Sequence, residues 1–265
     1  MKFAPLVSII INSYNGAKFI KDSINSILNQ EYSNWEIIFW DNNSKDQTKK
    51  IIDSFKDKRI KYFKNSKYKT LYTSRNLALK KCKGDYISFL DVDDWWDKNK
   101  LSAQINLINL NKKIKIIFTN YYIYFEKKKI KKIAFKKNLP NGNITKNILE
   151  DYCVGILTVL IKKDILKKNL FNSKYEIISD FDLFTKLSLK YEFFSIQKPL
   201  AFYRVHSSNF SKKKINLYIS EMQNWVNLNK LFFKKKKIKL TYPLLLIKKL
   251  KIKKFIFFLG RVVQW

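Results

Sequence analysis

The sequence predicts an α/β fold, an open and mostly parallel sheet with helices on both faces. Three observations predict it. From Leu6 to Leu90, β-branched apolar runs alternate with segments of helical periodicity. Three of the predicted strands end in polar clusters, at 12–15, 41–44 and 91–94. In such sheets ligands bind beyond the carboxyl ends of the strands, near a topological switch point, so the three clusters should meet in one crevice. Finally, no internal repeat and no Gly/Ser linker divides the chain before about Lys212.

Residues 6–12 form a β-branched run suited to a buried parallel strand. Residues 17–30 place Phe19, Ile20, Ile24, Ile27 and Leu28 at helical spacing. Residues 35–40 read as a second strand. Ser44 stands where it would cap the helix carrying Ile51, Ile52 and Phe55. Residues 60–63 read as a third strand, 74–81 as a helix and 86–90 as a fourth strand. The second half is less regular. Residues 101–110 look helical, and 114–125 look like one long strand or two. Residues 127–137 alternate lysine with Ile, Ala and Phe, as a hairpin with one wet face would. Residues 155–161 read as an apolar strand, 179–189 as a helix and 200–205 as a late strand leading to His206.

Composition excludes several phosphate binders. Only five glycines occur, so there is no dinucleotide fingerprint, no P-loop and no nucleophile elbow. A bound nucleotide would need a metal and basic side chains against its phosphates. Cys82 and Cys153 fit no zinc or redox spacing, and His206 is the only histidine, which excludes a multi-histidine metal site. Free cysteines suit a reducing, cytoplasmic compartment. The apolar start of the chain, interrupted by Pro5, reads as a strand rather than a signal peptide.

The net charge is +33, from 54 Lys and Arg against 21 Asp and Glu. Compositional drift, an anionic membrane partner and a nucleic-acid partner compete to explain it. Only Glu192 and Glu221 follow Asp182, so the basic excess lies toward the C-terminus. No helix-turn-helix, zinc or RNP signature supports nucleic acid, and none is expected as a partner.

The richest segment is 84–94, GDYISFLDVDD, where a buried strand runs into three carboxylates. Asp91 and Asp93 face the same side of an extended backbone. Hard oxygen donors of this kind suit Mg²⁺ or Mn²⁺ shared with substrate phosphates. A solvated acidic turn is the plain alternative.

Four segments in order resemble the family 2 glycosyltransferases, which have the Rossmann-like nucleotide-diphospho-sugar (GT-A) fold. They are 7–48, opening VSIIINSYNG; 74–96, SRNLALKKCKGDYISFLDVDDWW; 179–187, SDFDLFTKL; and 203–211, YRVHSSNFS. The likeness covers roughly residues 5–211. It implies a metal-dependent, inverting transfer from a nucleotide-diphospho-sugar, UDP-linked before dTDP-linked. The acceptor would be a glycan or lipid-linked glycan of a cell-surface polysaccharide. It also implies residue roles. Asn12 and Tyr14 would contact the nucleobase, Asp41 the base or ribose, Arg75 the diphosphate and Asp91 the ribose side. Asp93 would hold Mn²⁺ or Mg²⁺, with His206 as a further metal or phosphate contact. Arg204 and His206 would sit on a loop able to close over the diphosphate. Asp180 would be the catalytic base. Where the family has a second Asp after Asp41, this chain has Asn42; where it has Glu before Asp180, this chain has Ser179.

Each role has a structural competitor. Tyr14 could equally be a packing ring, and His206 a loop or core histidine. Trp95, Trp96 and Trp225 could be sugar contacts or core, and Asp94 an acceptor-side group or a surface turn. Ser179 and Asp182 resemble a capping box, which makes Asp182 structural. On a helix it points about 200° from Asp180. A basic nucleic-acid binder and a non-catalytic relative acting as a binding module remain the rival functions. The expected division is a catalytic domain over 1–230 and a basic, apolar extension over 231–265. That extension reads as an interfacial anchor on an anionic membrane or as a lysine-rich helix packed on the domain. The protein would then be peripheral at the inner face of the cell membrane.

Overall fold

The computed structural model describes residues 4–262. The strands are β1 (Val7–Ser13), β2 (Trp35–Asp41), β3 (Ile60–Lys64), β4 (Tyr86–Phe89), β5 (Trp95–Trp96), β6 (Ile116–Phe125), β7 (Ile130–Ile133), β8 (Leu160–Lys162) and β9 (Phe194–Val205). The helices are α1 (Ile20–Leu28), α2 (Thr48–Ser54), α3 (Leu71–Leu79), α4 (Lys100–Leu110) and α5 (Thr145–Glu150). They continue as α6 (Lys163–Lys168), α7 (Ser179–Ser188), α8 (Phe210–Lys213), α9 (Ile215–Lys235) and α10 (Thr241–Val262).

The strands form one sheet in the order β3-β2-β1-β4-β8-β6-β9-β5, with β7 added to β6 as the expected hairpin, although all four β7 residues are exposed rather than one face alone. Strands β3, β2, β1 and β4 are mutually parallel. Strand β8 runs against both β4 and β6, so β6 and its parallel neighbour β9 share the direction of β1. The sheet is therefore mostly parallel, as expected. The chain steps outward from β1 to β3 and then returns to β4 on the other side of β1. The gap beyond the carboxyl ends of β1 and β4 is thus the switch point.

Both faces of the sheet are covered. Val7, Ile9 and Ile11 pack with Ile20, Ile24 and Ile27 of α1 and Leu101, Ile105 and Ile108 of α4. Ile10, Ile38, Ile87 and Phe89 pack on the other face with α3, α5, α7 and α9. This alternation follows from the period of two along a strand. The Gly-Asp pair before β4 sets its register against β1. A Cβ on Gly84 would lie 2.5 Å from the Ser8 nitrogen, and the Asp85 carboxylate accepts from the Leu6 N–H at 2.9 Å. Asn15 and Asn43 take left-handed backbone angles, φ 52° and 66°, which explains asparagine in the turns after β1 and β2.

Several local expectations are corrected. Ser44 does not cap α2. Its hydroxyl accepts from the Asn15 N–H at 2.9 Å, and Asp46 accepts from the Thr48 N–H instead. The Ser179–Asp182 capping box is absent, because Ser179 lies inside α7 and its buried hydroxyl has no partner. Residues 155–161 divide into a 3-10 turn and the short β8.

The expected boundary near residue 230 falls inside α9. Phe233 and Leu240 are buried in the core, and Tyr242, Leu246 and Ile247 of α10 pack against it. Trp225 resolves as core. It is fully buried, and its indole N–H donates to Asp182 Oδ1 at 2.9 Å. Trp225→Ala is expected to cost about 3–5 kcal/mol. A urea midpoint equal to wild type would show that α9 does not brace the domain.

Candidate active site

A cavity of about 650 Å³ opens at the switch point. Asn12, Tyr14, Asn42, Asp93 and His206 line it, with Lys213 and Lys214 at its rim. Asn12 is the penultimate residue of β1, its amide is buried, and neither the oxygen nor the nitrogen has a protein partner. An unpaired buried amide is costly, so a ligand that pairs with it gains that energy back. Tyr14 is half-exposed, edge-on to Tyr68 with ring centres 4.9 Å apart.

Asp41 is close by but points elsewhere. It is fully buried, Oδ1 accepts from the Ser44 N–H at 2.7 Å, and Oδ2 accepts from the Tyr62 hydroxyl at 2.5 Å. Asn42, where the family has a second acid, lines the cavity. Its amide is already bound to Asn65, Lys69 and Ser74.

The turn after β4 presents the acidic cluster. Asp93 Oδ2 lies 2.8 Å from His206 Nε2, and His206 Nδ1 lies 2.7 Å from the Ser208 hydroxyl. Asp91 is paired with the buried guanidinium of Arg75 from α3. Burial works against the charge on Arg75, but Asp91, Tyr72 and Asp180 outweigh it and hold its pKa above the ordinary arginine value. Asp94 is not on the surface of its turn. It is buried, and its Oδ1 accepts from the Arg204 N–H at 2.8 Å. Burial, then the charges of Asp93 and Asp91, push its carboxyl well above the usual range.

Arg204 does not face the cavity. Its Nε donates to the Asp93 carbonyl at 2.8 Å, and its guanidinium pairs with Asp22 at 2.6 Å. It braces the acidic turn from behind. Nothing in the Y-R-x-H spacing signals this, because Asp22 lies on α1, far away in sequence.

Asp180 lies in the first turn of α7, within electrostatic reach of Arg75. Its Oδ1 accepts from the Phe181 N–H at 2.8 Å and lies 3.1 Å from the Tyr72 hydroxyl. Burial raises its pKa, against the opposing effects of Arg75, the Phe181 N–H and Tyr72. Asp182 is spent on Trp225 and Lys186, as a structural acid should be. Tyr72, which sequence reasoning missed, has a visible signal only in its position just before the Arg75-Asn76 pair.

Among the described residues no group of three or more His, Cys, Asp or Glu could hold a metal ion. Asp93 and His206 together supply a hard oxygen and an imidazole nitrogen, donors that Mn²⁺ accepts. A divalent ion there would complete its shell with phosphate oxygens and water, the usual arrangement for such ions. The two residues fit a cation shared with a diphosphate and do not form a self-sufficient cage.

Solved structures share this architecture. Staphylococcus aureus TarS 1–349 in complex with UDP-GlcNAc superposes with a TM-score of 0.65 at 18% identity, over 83% of this chain and 66% of that one. The mannosyltransferase PcManGT of Pyrobaculum calidifontis, in complex with GDP-Man and Mn²⁺, gives 0.64 at 14% identity, over 86% and 65%. Among curated proteins, the UDP-Glc:alpha-D-GlcNAc-diphosphoundecaprenol beta-1,3-glucosyltransferase WfgD of Escherichia coli is 38% identical over 162 residues. That match covers 61% of this chain and spans 62% of the relative's length. The family model for glycosyl transferase family 2 matches residues 8–168, and with the GT-A fold and the ordered motifs around the crevice this chain belongs to that family.

Proposed function

We propose that the chain is a metal-dependent, inverting hexosyltransferase. It would move a sugar from a nucleotide diphosphate, UDP first, to a lipid-linked or growing surface glycan. The observation that carries this reading is the placement of Asp180. A half-buried carboxylate of raised pKa lies 3.1 Å from the Tyr72 hydroxyl of α3 and in the field of the Arg75–Asp91 pair, and the same helix lines, through Leu71 and Ser74, a cavity that also holds the unpaired Asn12 amide, Asp93 and His206. The cavity takes the nucleotide, with Asn12 toward the base and Tyr14 against its face. Asp180 takes the proton from the acceptor hydroxyl. That oxygen attacks the anomeric carbon opposite the diphosphate, and the electron pair of the breaking bond leaves with the phosphate. One displacement inverts the centre and needs no second carboxylate nucleophile. A divalent cation held by Asp93, His206 and the diphosphate would neutralise the charge growing on the leaving group.

The lipid-linked acceptor is supported by likeness to the Escherichia coli WfgD glucosyltransferase, named for a GlcNAc-diphosphoundecaprenol acceptor. No helix among the described residues is long and apolar enough to cross a membrane, which is compatible with a peripheral enzyme meeting such an acceptor at the cytoplasmic surface.

A thermal-shift screen of UDP-, dTDP- and GDP-sugars with Mn²⁺ tests the donor, and NMR of the product tests inversion. A UDP-sugar should raise the melting midpoint, and the product should have the opposite anomeric configuration to the donor. Retention would reject the single displacement. Tight, salt-sensitive binding of random DNA with no response to any sugar nucleotide would favour the nucleic-acid reading. Donor binding without turnover on lipid-linked acceptors would favour a non-catalytic relative. Asn12→Ala should raise KM for the donor and leave the urea midpoint near wild type, because the amide has no protein partner to lose. An unchanged KM would remove Asn12 from the base site.

A further inference from the structure

Helices α9 and α10 pack against each other, and α10 also packs on α5. Tyr242, Leu246 and Ile247 form the inner side of α10. Its outer side carries Leu244, Leu245, Ile252, Phe255 and Ile256, all exposed, the last two at 61% and 63%. At 100° per residue these five fall within an arc of about 120°, so they form one stripe. Lys248 and Lys249 lie within or beside that arc, and Lys251, Lys253 and Lys254 are exposed around it. On α9, Leu228, Leu231 and Phe232 are exposed as well, Leu231 at 66%. Eleven lysines and no Asp or Glu lie between residues 222 and 256.

An apolar stripe held rigidly at the surface needs a cover, because monomeric proteins seldom expose contiguous apolar patches of this kind. The surrounding lysines make a close acidic-free contact with a second copy unfavourable, whereas they complement an anionic bilayer. Lysine stems lie along apolar surface while their ammonium groups reach headgroups. The hairpin is joined to the loop that carries His206: α8 packs on α9, and Lys212 of α8 donates to the His206 carbonyl at 2.9 Å.

We propose that the outer face of α9 and α10 is a docking surface for an anionic lipid bilayer, seating the mouth of the crevice against the membrane. This deepens the proposed function by giving a lipid-linked acceptor a route to Asp180. The anchor is a folded helical hairpin braced on the core, not a detachable tail. The lysines add electrostatic attraction to an anionic surface, and the stripe adds shallow insertion.

The binding arm of the test uses the full chain with phosphatidylglycerol-containing vesicles, phosphatidylcholine vesicles and no sugar nucleotide, so it does not depend on donor chemistry; the turnover arm adds the donor. Truncation near Asn229 is unsuitable because it removes the buried Phe233 and Leu240. Point substitutions on the exposed stripe are used instead. The full chain should sediment with anionic vesicles, less so in high salt and hardly with neutral ones. Leu244→Ser combined with Ile252→Ser and Phe255→Ser should weaken binding by roughly tenfold or more. The same variant should keep wild-type melting and wild-type turnover on a water-soluble acceptor, and lose turnover on a lipid-linked one in vesicles. No sedimentation of the full chain overturns the proposal. So does a triple variant that binds vesicles like wild type, or one that loses only DNA binding. If vesicles bind but no sugar transfer is found with any acceptor, the docking surface stands and the catalytic reading fails.

Discussion

Asp180→Asn lowers kcat by ~10²–10⁴-fold and leaves donor affinity near wild type; this is the expected result if Asp180 is the general base. The asparagine keeps the size of the carboxylate and can still accept from the Phe181 N–H, but it cannot take a proton. Donor affinity is spared because Asp180 does not line the cavity. The raised pKa gives a second readout. Catalysis needs the ionised form, so the acid limb of the kcat profile should fall above the ordinary carboxylate range. The limb should vanish in the variant.

Stability should move the other way. A folded pKa raised by burial means that the fold disfavours the charged form. The destabilisation is absent below the unfolded pKa and develops as pH rises through the folded one. Removing the charge should therefore leave the melting midpoint at neutral pH no lower than wild type. Arg75 keeps Asp91 as a partner in the variant. Wild-type kcat in Asp180→Asn would move the base elsewhere, and a large fall in midpoint would make the residue structural.

The second large effect concerns Asp93. EDTA should abolish turnover and Mn²⁺ or Mg²⁺ restore it, with Asp93→Ala losing UDP affinity only when metal is present. Loss of about 3 kcal/mol of leaving-group stabilisation corresponds to roughly a hundredfold in rate. The buried Arg75 remains in Asp93→Ala, so residual binding in the absence of metal should match wild type. Full turnover in EDTA would remove the cation from the mechanism. Asp93 also accepts from His206 and Asn209, so its loss frees the loop after β9. Melting in the absence of ligand separates that structural effect from the loss of metal.

The parallel half of the sheet and the convergence of its polar loops are legible in the residue pattern alone. A buried parallel strand is largely apolar on both faces, and β1, β2 and β4 show this as mostly β-branched or aromatic runs interrupted by Ser8, Glu36 and Ser88. The signals there are local: Gly84 for a close approach, Asn15 and Asn43 for left-handed turns, and three polar strand ends that the switch point gathers. Asp93 and His206 were legible as candidates, and they meet at 2.8 Å although 113 residues separate them. How individual carboxylates are spent depends on tertiary packing. Asp41, Asp94 and Asp182 look like Asp93 in the sequence, but Asp41 and Asp182 have both oxygens engaged, by Tyr62 and Ser44 and by Trp225 and Lys186, and Asp94 is buried against the Arg204 N–H, whereas Asp93 lines the cavity. Those partners arrive from distant elements, and no periodicity encodes them. The C-terminal helices follow the same logic. Their lysine-rich composition hides an inner face that belongs to the core, because burial depends on which 120° of a helix meets the domain, and that orientation is set only when the helix packs.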